Sequence, residues 1–458
     1  MPIHITTLSS NLAGRPEMRN IFCASTRVAN FLRIEVALAK VEASLGIIPQ
    51  SAYAEIDRRA SGLQVNWDRL RREFAAGGHP ALLLIQQLGE ACGGASEYLH
   101  WGSTARQVSD TAFVLQLREG MALIERDARQ LRGVLQRMSQ AYQSAVMVPR
   151  RSGPPSAPTT FGFRCAVWCS EIDRQIARLV RVRLGLAGDS FGAPDGLGPQ
   201  AGDVRTGLMH ELGLAPIAVP GYGVHDRICD CAFALATLSS VLAGMAATVA
   251  SMADGRVQEL RTPLAAGATS GFAQVCEQVL AYAAKATENV TVALEAALCP
   301  HDAERQHALE TELVPQTFLL VHGAVVDVAE MLAGLEVFPS RMRTNIDGTK
   351  GLVMAENVMQ MLAVRSGRRS AHRLVTRACE SALREDISLR EALLRNRDVT
   401  ALVSPDEIDR ALDPVAGRNG VPRPAVPDVN DDGEPDQFSF QPALQRTPAA
   451  APRAPAPP

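Results

Sequence analysis

The chain has 458 residues, a formal net charge of −3, 47% hydrophobic and 21% charged residues. Such a chain can bury a large core divided over two or three domains, with the composition of a soluble globular protein. The charge balance excludes a general polyanion binder, so no nucleic-acid partner is expected.

In chain order, the first fourteen residues lack a basic stretch followed by an apolar one, so no secretion signal is expected and the expected compartment is the cytoplasm. Residues 25–45 place Val28, Phe31, Leu32, Val36, Leu38, Ala39 and Leu45 on a helical stripe that Gly46 and Pro49 close. A longer pattern over 110–142 repeats Phe113, Val114, Leu117, Met121, Ile124, Leu131, Leu135 and Met138 at threes and fours. A helix of about thirty residues spans about 45 Å, longer than a small domain needs. Further helical patterns cover 163–184, 230–253, 274–298, 314–335 and 352–365.

The stretch 232–253 carries no charge and is long enough to cross a bilayer. Its Ala, Ser, Thr and Gly content and lack of aromatic anchors favour a helix buried at the centre of a bundle, and no membrane partner is expected. The nine cysteines form no CxxC pair and have no histidine at zinc spacing. They fit reduced thiols, and Cys229 with Cys231 supplies too few ligands for a metal, so none is expected.

Alternating strand patterns are scarce and aromatic residues are only 5%, so the expected fold class is all-α, built on a long central helical bundle. The expected division is an N-terminal helical domain (1–102), a central helical-bundle domain (103–345), a small C-terminal helical domain (346–415) and a Pro/Ala-rich tail (416–458) expected to be disordered. Within the tail, Asp428 to Asp436 resembles a calcium loop, but Ser439 stands where the bidentate acid belongs, so a solvated acidic stretch is favoured.

Three segments then stand out. His100 to Glu119 leads from a Gly-Ser-Thr turn into a long helix. Val148 to Gly162 is a loop feeding a second helix, and Ala266 to Glu277 a Gly/Ala/Thr/Ser loop feeding a third. Helix N-termini present unpaired N–H groups and a positive dipole end, which suits a carboxylate.

These segments resemble the three signature regions of the fumarase/aspartase superfamily, most closely its bacterial 3-carboxy-cis,cis-muconate cycloisomerase branch. The runs at 18–22, 37–43, 226–227 and 341–353 fall where that branch has similar ones. The resemblance implies the three-domain fumarase/aspartase-like fold, no cofactor, and a homotetramer whose composite active sites draw on three subunits. It implies chemistry on an anionic small-molecule substrate, in which a proton leaves the carbon beside a carboxylate and charge accumulates on that group.

The signatures are altered, however. Aligned on Gly-Ser-Ser-x-Met-Pro-x-Lys-x-Asn, the usual base falls on Thr269, with Ser270 beside it, while Lys becomes Val275 and Asn becomes Glu277. The usual His of the second signature is Ser152, after Arg150 and Arg151. The first signature keeps Thr104, Asp110 and Thr111 but carries Arg106 in its middle. Candidate catalytic residues are therefore Thr269, Ser270, Ser152 and His225. Candidate substrate-binding residues are Thr104, Arg106, Arg150, Arg151, Asp110 and Thr111; Arg150 matches the family's own Arg, and Arg106 and Arg151 are extra cations standing in for the lost lysine. The expected function is a diverged lyase or cycloisomerase acting by elimination, addition or cyclisation. The alternative is a non-catalytic tetramer used as a binding or scaffold protein.

Overall fold

The computed structural model describes residues 14–149, 157–188, 191, 198–221, 225–261, 271–298 and 309–414, and over these the chain is all-α. The centre is a bundle of α6 (Ala105–Ala141), α7 (Phe161–Leu184), α9 (Asp226–Ala253), α10 (Gly271–Ala297) and α11 (Val314–Ala333). Helix α6 packs on α7 and α11, α9 on α7, α10 and α11, and α10 on α11.

The 37 residues of α6 span about 55 Å. It begins at Ala105, five residues before the apolar pattern does, because Thr104 and Gln107 form a capping box. The Thr104 hydroxyl accepts the Gln107 N–H (3.3 Å) and the Gln107 side chain accepts the Thr104 N–H (2.9 Å). Gly120 lets α6 and α11 close together, since a Cβ there would lie 2.7 Å from the Phe318 ring. Gly162 does the same at the start of α7, where a Cβ would meet the Ser139 carbonyl at 2.5 Å.

Helices α9 and α11 are long and apolar enough to cross a membrane, but 61% and 67% of their most apolar windows are buried inside the protein. Small residues allow this: Ala232, Ala234, Ala236, Ser239 and Ala246 of α9 are all buried.

Before the bundle come α1 (Pro16–Ile21), α2 (Ala24–Ser44), α3 (Gln50–Ser61), α4 (Trp67–Ala75) and α5 (Pro80–Cys92). Ala39, Ile48, Ile56, Leu88 and Cys92 form a core of their own there. After the bundle, α12 (Pro339–Asp347), α13 (Ala355–Ser366), α14 (Arg368–Glu385), α15 (Leu389–Arg395), α16 (Arg397–Thr400) and α17 (Pro405–Leu412) follow. Most of these surround Val358, Leu362, Val375, Leu389, Leu393 and Ile408. Helix α8 (Ala201–Leu212) lies against α2, where a Cβ on Gly207 would touch Val41 at 2.7 Å.

The sequence patterns missed every helix before residue 105 except α2, together with α8, α12 and α14 to α17. The buried face of α14 is Ala371, Val375, Ala378 and Ala382, a stripe of small residues that large-side-chain periodicity does not register. The residues from 415 onward, with the calcium-loop-like stretch, lie outside the described residues.

Two small antiparallel sheets stand at the roots of the second and third segments. Strand β1 (Val146–Met147) pairs with β2 (Thr159–Thr160), and β3 (Leu260–Arg261) with β4 (Glu336–Val337). The base of β3 is locked from α12: Asn345 donates to the Glu259 carboxyl (2.8 Å) and the Val257 carbonyl (2.9 Å), and Arg341 donates to the same carbonyl (3.2 Å).

Candidate functional site

Helix α2 drives Val28, Phe31, Leu38 and Ala39 into the core, and the same face carries Glu35 and Glu42, only 2% and 1% exposed. Seven residues apart on a helix, they lie one above the other. Among the described residues neither oxygen of Glu42 has a partner, and burial together with the neighbouring Glu35 pushes its carboxyl up to about 8. Glu35 is engaged: its Oε1 lies 2.7 Å from His100 Nδ1.

His100 opens the turn before α6 with a left-handed backbone, φ 59°. Its Nδ1 also meets Ser103 Oγ at 2.9 Å, and Ser103 Oγ in turn donates to the His100 carbonyl (3.4 Å). The turn hands the chain to Thr104, whose hydroxyl is occupied in capping α6. One turn on, Arg106 pairs with Asp110 at 2.6 Å. Thr111 is wholly buried, its Oγ1 without a hydrogen bond from any described residue and pressed on Gly188, where a Cβ would sit 2.7 Å away.

Two further histidines feel the charges of this ion pair. His79 stands immediately before Pro80, at the start of α5. Burial, then the charges of Arg106 and Arg27, hold its imidazole below the usual histidine range, against the pull of Asp110. His225 stands at the start of α9 and is 6% exposed. Burial, then Arg106, lowers it too, opposed by Asp110 and Asp226. Among the described residues, neither nitrogen of His225 has a hydrogen-bond partner, and His79 Nδ1 is likewise buried and unpartnered. Arg27, on the first turn of α2, places its guanidinium 5.8 Å from the centre of the Phe113 ring.

The arrangement is thus a guanidinium–carboxylate pair with two imidazoles kept neutral beside it. In a site screened from water, such imidazoles exchange protons near neutral pH, and the guanidinium stabilises a developing negative charge. Buried polar atoms without partners are rare in native proteins and mark places where a ligand supplies the missing bonds.

Of the sequence candidates, Thr104, Arg106, Asp110 and His225 come together at this end of α6, with Thr111 one turn further into the core. Arg150, Arg151, Ser152, Thr269 and Ser270 lie outside the described residues. Val275 and Glu277 sit on the first turns of α10, half-buried and exposed respectively. Sequence reasoning missed His79, His100, Glu35 and Arg27. The legible signal was Glu35 itself, an acid on an otherwise apolar stripe. Among the described residues no group of three His, Cys, Asp or Glu side chains is arranged to hold a metal ion.

Comparison with known proteins fits this geometry. The family described as "Lyase" matches residues 13–271, and "Adenylosuccinate lyase C-terminus" matches residues 351–417. The chain is 33% identical to the 3-carboxy-cis,cis-muconate cycloisomerase of Pseudomonas aeruginosa, covering 87% of this chain and 90% of that one. It is 30% identical to trans-aconitate decarboxylase 1 of Mycosarcoma maydis, over 88% and 85% of the two chains. Among solved structures it resembles a fumarate lyase from Mesorhizobium sp. BNC1, with a TM-score of 0.81 and 32% identity over 88% of this chain and 95% of that one.

Proposed function

The chain belongs to the lyase family of the fumarase/aspartase superfamily, and we propose that it is a diverged member acting on a polycarboxylate without a metal or organic cofactor. The reaction is a proton transfer at a carbon beside a carboxylate, coupled to elimination, addition or cyclisation. Arg106, with Arg150 and Arg151, holds the anion, and Asp110 fixes the Arg106 guanidinium. His225 handles the proton together with Thr269, Ser270 or Ser152.

One observation carries this reading: the buried imidazole of His225, without a partner among the described residues and within reach of the charges of the Arg106–Asp110 pair. It answers the problem posed by the altered signatures. Removing one preorganised donor costs about 10²–10³ in rate, and Val275 and Glu277 replace two such groups. A proton-transfer histidine and extra arginines are what a rebuilt site needs. Decarboxylation in one relative's name shows how widely the chemistry varies on this fold.

The working form is a homotetramer in the cytoplasm, its active sites completed by neighbouring subunits. Support comes from apolar side chains exposed along the bundle: Phe233 on α9 and Leu280, Val292 and Leu294 on α10. Exposed apolar surface of this kind marks an association face.

The test is direct. Purified protein is offered 3-carboxy-cis,cis-muconate, trans-aconitate and adenylosuccinate, with turnover followed by ultraviolet absorbance and product mass. Saturable turnover of at least one, abolished in Arg106→Ala, is the expected result. No turnover and no calorimetric binding of any of the three would overturn the proposal.

A further inference from the structure

The Glu35–His100 contact lies outside every role assigned above. A stripe built only for packing would carry Leu at 35, in line with Phe31 and Leu38, and a turn with φ 59° would carry Gly. Burying a carboxyl group costs several kcal/mol unless it is well bonded. A left-handed backbone is unfavourable for a residue other than glycine. Both costs meet in one contact, and strain of this kind persists where the surroundings over-determine it, chiefly at ligand sites.

The hydrogen bonds around the ring select one arrangement. Glu35 Oε1 lies 2.7 Å from Nδ1. Ser103 Oγ lies 2.9 Å from Nδ1 and directs its own hydrogen to the His100 carbonyl. Nδ1 therefore meets the Glu35 carboxyl and a hydroxyl whose own hydrogen has another acceptor, an arrangement that favours the proton on Nδ1. Nε2 takes no bond from a described residue, and the ring lies close enough to His79 for its charge to act there. A carboxyl group that takes the Nδ1–H fixes both the tautomer and the orientation of the ring, as in other carboxylate–histidine pairs.

We propose that Glu35 is a positioning residue of the site: it holds His100 as the Nδ1–H tautomer and leaves Nε2 as an acceptor for a hydroxyl or other O–H or N–H donor on the bound acid. This rests on the reading of the site given above and adds a donor group to the substrate class. A plain dicarboxylate meets the arginines only, whereas a hydroxylated one also meets His100.

The test uses the full-length protein with fumarate and malate as probes. Long-range 1H–15N spectra of histidine-labelled protein at pH 8.5, with His100 assigned through His100→Gln, should show Nδ1 protonated in the wild type. Glu35→Gln, whose amide oxygen still accepts, should keep that tautomer, and Glu35→Leu should lose it. By calorimetry, malate should bind at least tenfold more weakly to Glu35→Leu and to His100→Gln, with fumarate nearly unchanged. The double variant should lose no more than His100→Gln alone, because residues that act as a unit are non-additive.

A wild-type Nε2–H tautomer, a tautomer indifferent to Glu35→Leu, or additive losses would overturn the proposal. If the wild type binds neither probe, the reading of the site as a polycarboxylate pocket fails, while the spectra still decide the Glu35–His100 arrangement. Circular dichroism of each variant separates misfolding from loss of position.

Discussion

Two buried histidines in this protein have opposite surroundings. His322, in the middle of α11 and 1% exposed, places Nε2 2.9 Å from Asp127 on α6. Asp127 is held in turn by Arg126, which reaches Glu17 on α1. His225, 6% exposed at the end of α9, has no hydrogen bond from any described residue. Burial lowers both imidazoles. A ring bonded through Nε2 to a neighbouring helix ties the bundle together, although its Nδ1 has no partner among the described residues. An unsatisfied ring beside an ion pair holds a place for something else, because stability alone would have replaced it with an apolar side chain.

The comparison breaks most visibly at Asp127. Asp127→Ala leaves His322 Nε2 unpaired in the bundle and should cost about 1–3 kcal/mol, lowering the thermal midpoint while the folded fraction still binds ligand normally. His225→Leu should show the reverse pattern. Its thermal midpoint should stay within about 1 kcal/mol of the wild type or rise, while turnover falls about 10²–10⁴-fold, as expected for a lost proton-transfer group. If both variants lose stability alike, or His225→Leu keeps full activity, the two histidines are not different in kind.

Glu42 sharpens the same distinction among carboxyl groups. Among the described residues Glu35 has a partner for Oε1 and Glu42 for neither oxygen, and Glu42 is pushed up to about 8. Its unfolded value is lower, so the folded state binds the extra proton and stability falls as pH rises from about 4.5 to about 8. Glu42→Gln removes that loss. Denaturant titration should show the variant more stable by about 4 kcal/mol at pH 8, with the difference gone below pH ~4. Equal curves at both values would place the Glu42 carboxyl in water.

Much of the fold was legible because the bundle helices carry large apolar residues at helical spacing: 28, 31, 38 and 39 on α2, and 113, 117, 121 and 124 on α6. The site was legible only where chemistry is concentrated in one segment. Thr104, Arg106 and Asp110 share a turn of helix and were found together. His79, His100 and Glu35 lie far apart in sequence and meet only because α2, the start of α5 and the turn before α6 converge. No local pattern encodes such a meeting. What was readable was the anomaly of an acid inside an apolar stripe, and Glu35 and Glu42 look alike in sequence. Only the presence of His100 separates them.

The smallest effect concerns proton linkage at the same two histidines. His225 and His322 both titrate below the usual histidine value, with burial the first cause in each; for His322 the bond and charge of Asp127 oppose that shift. An unfolded histidine takes its proton near pH ~6.5, so below that value the unfolded chain binds more protons than the folded one. The stability each ring contributes is complete above pH ~6.5 and is lost as pH falls through the depressed folded value. His225→Leu should therefore flatten the acid limb of the thermal midpoint between pH 7.5 and 5 without lowering its plateau. His322→Leu should flatten the limb as well but start from a lower plateau, because Asp127 then keeps only Arg126. Saturating ligand should flatten the wild-type limb too, since bonds to the bound acid replace those His225 lacks. A limb that the ligand leaves unchanged would place that acid elsewhere than on His225.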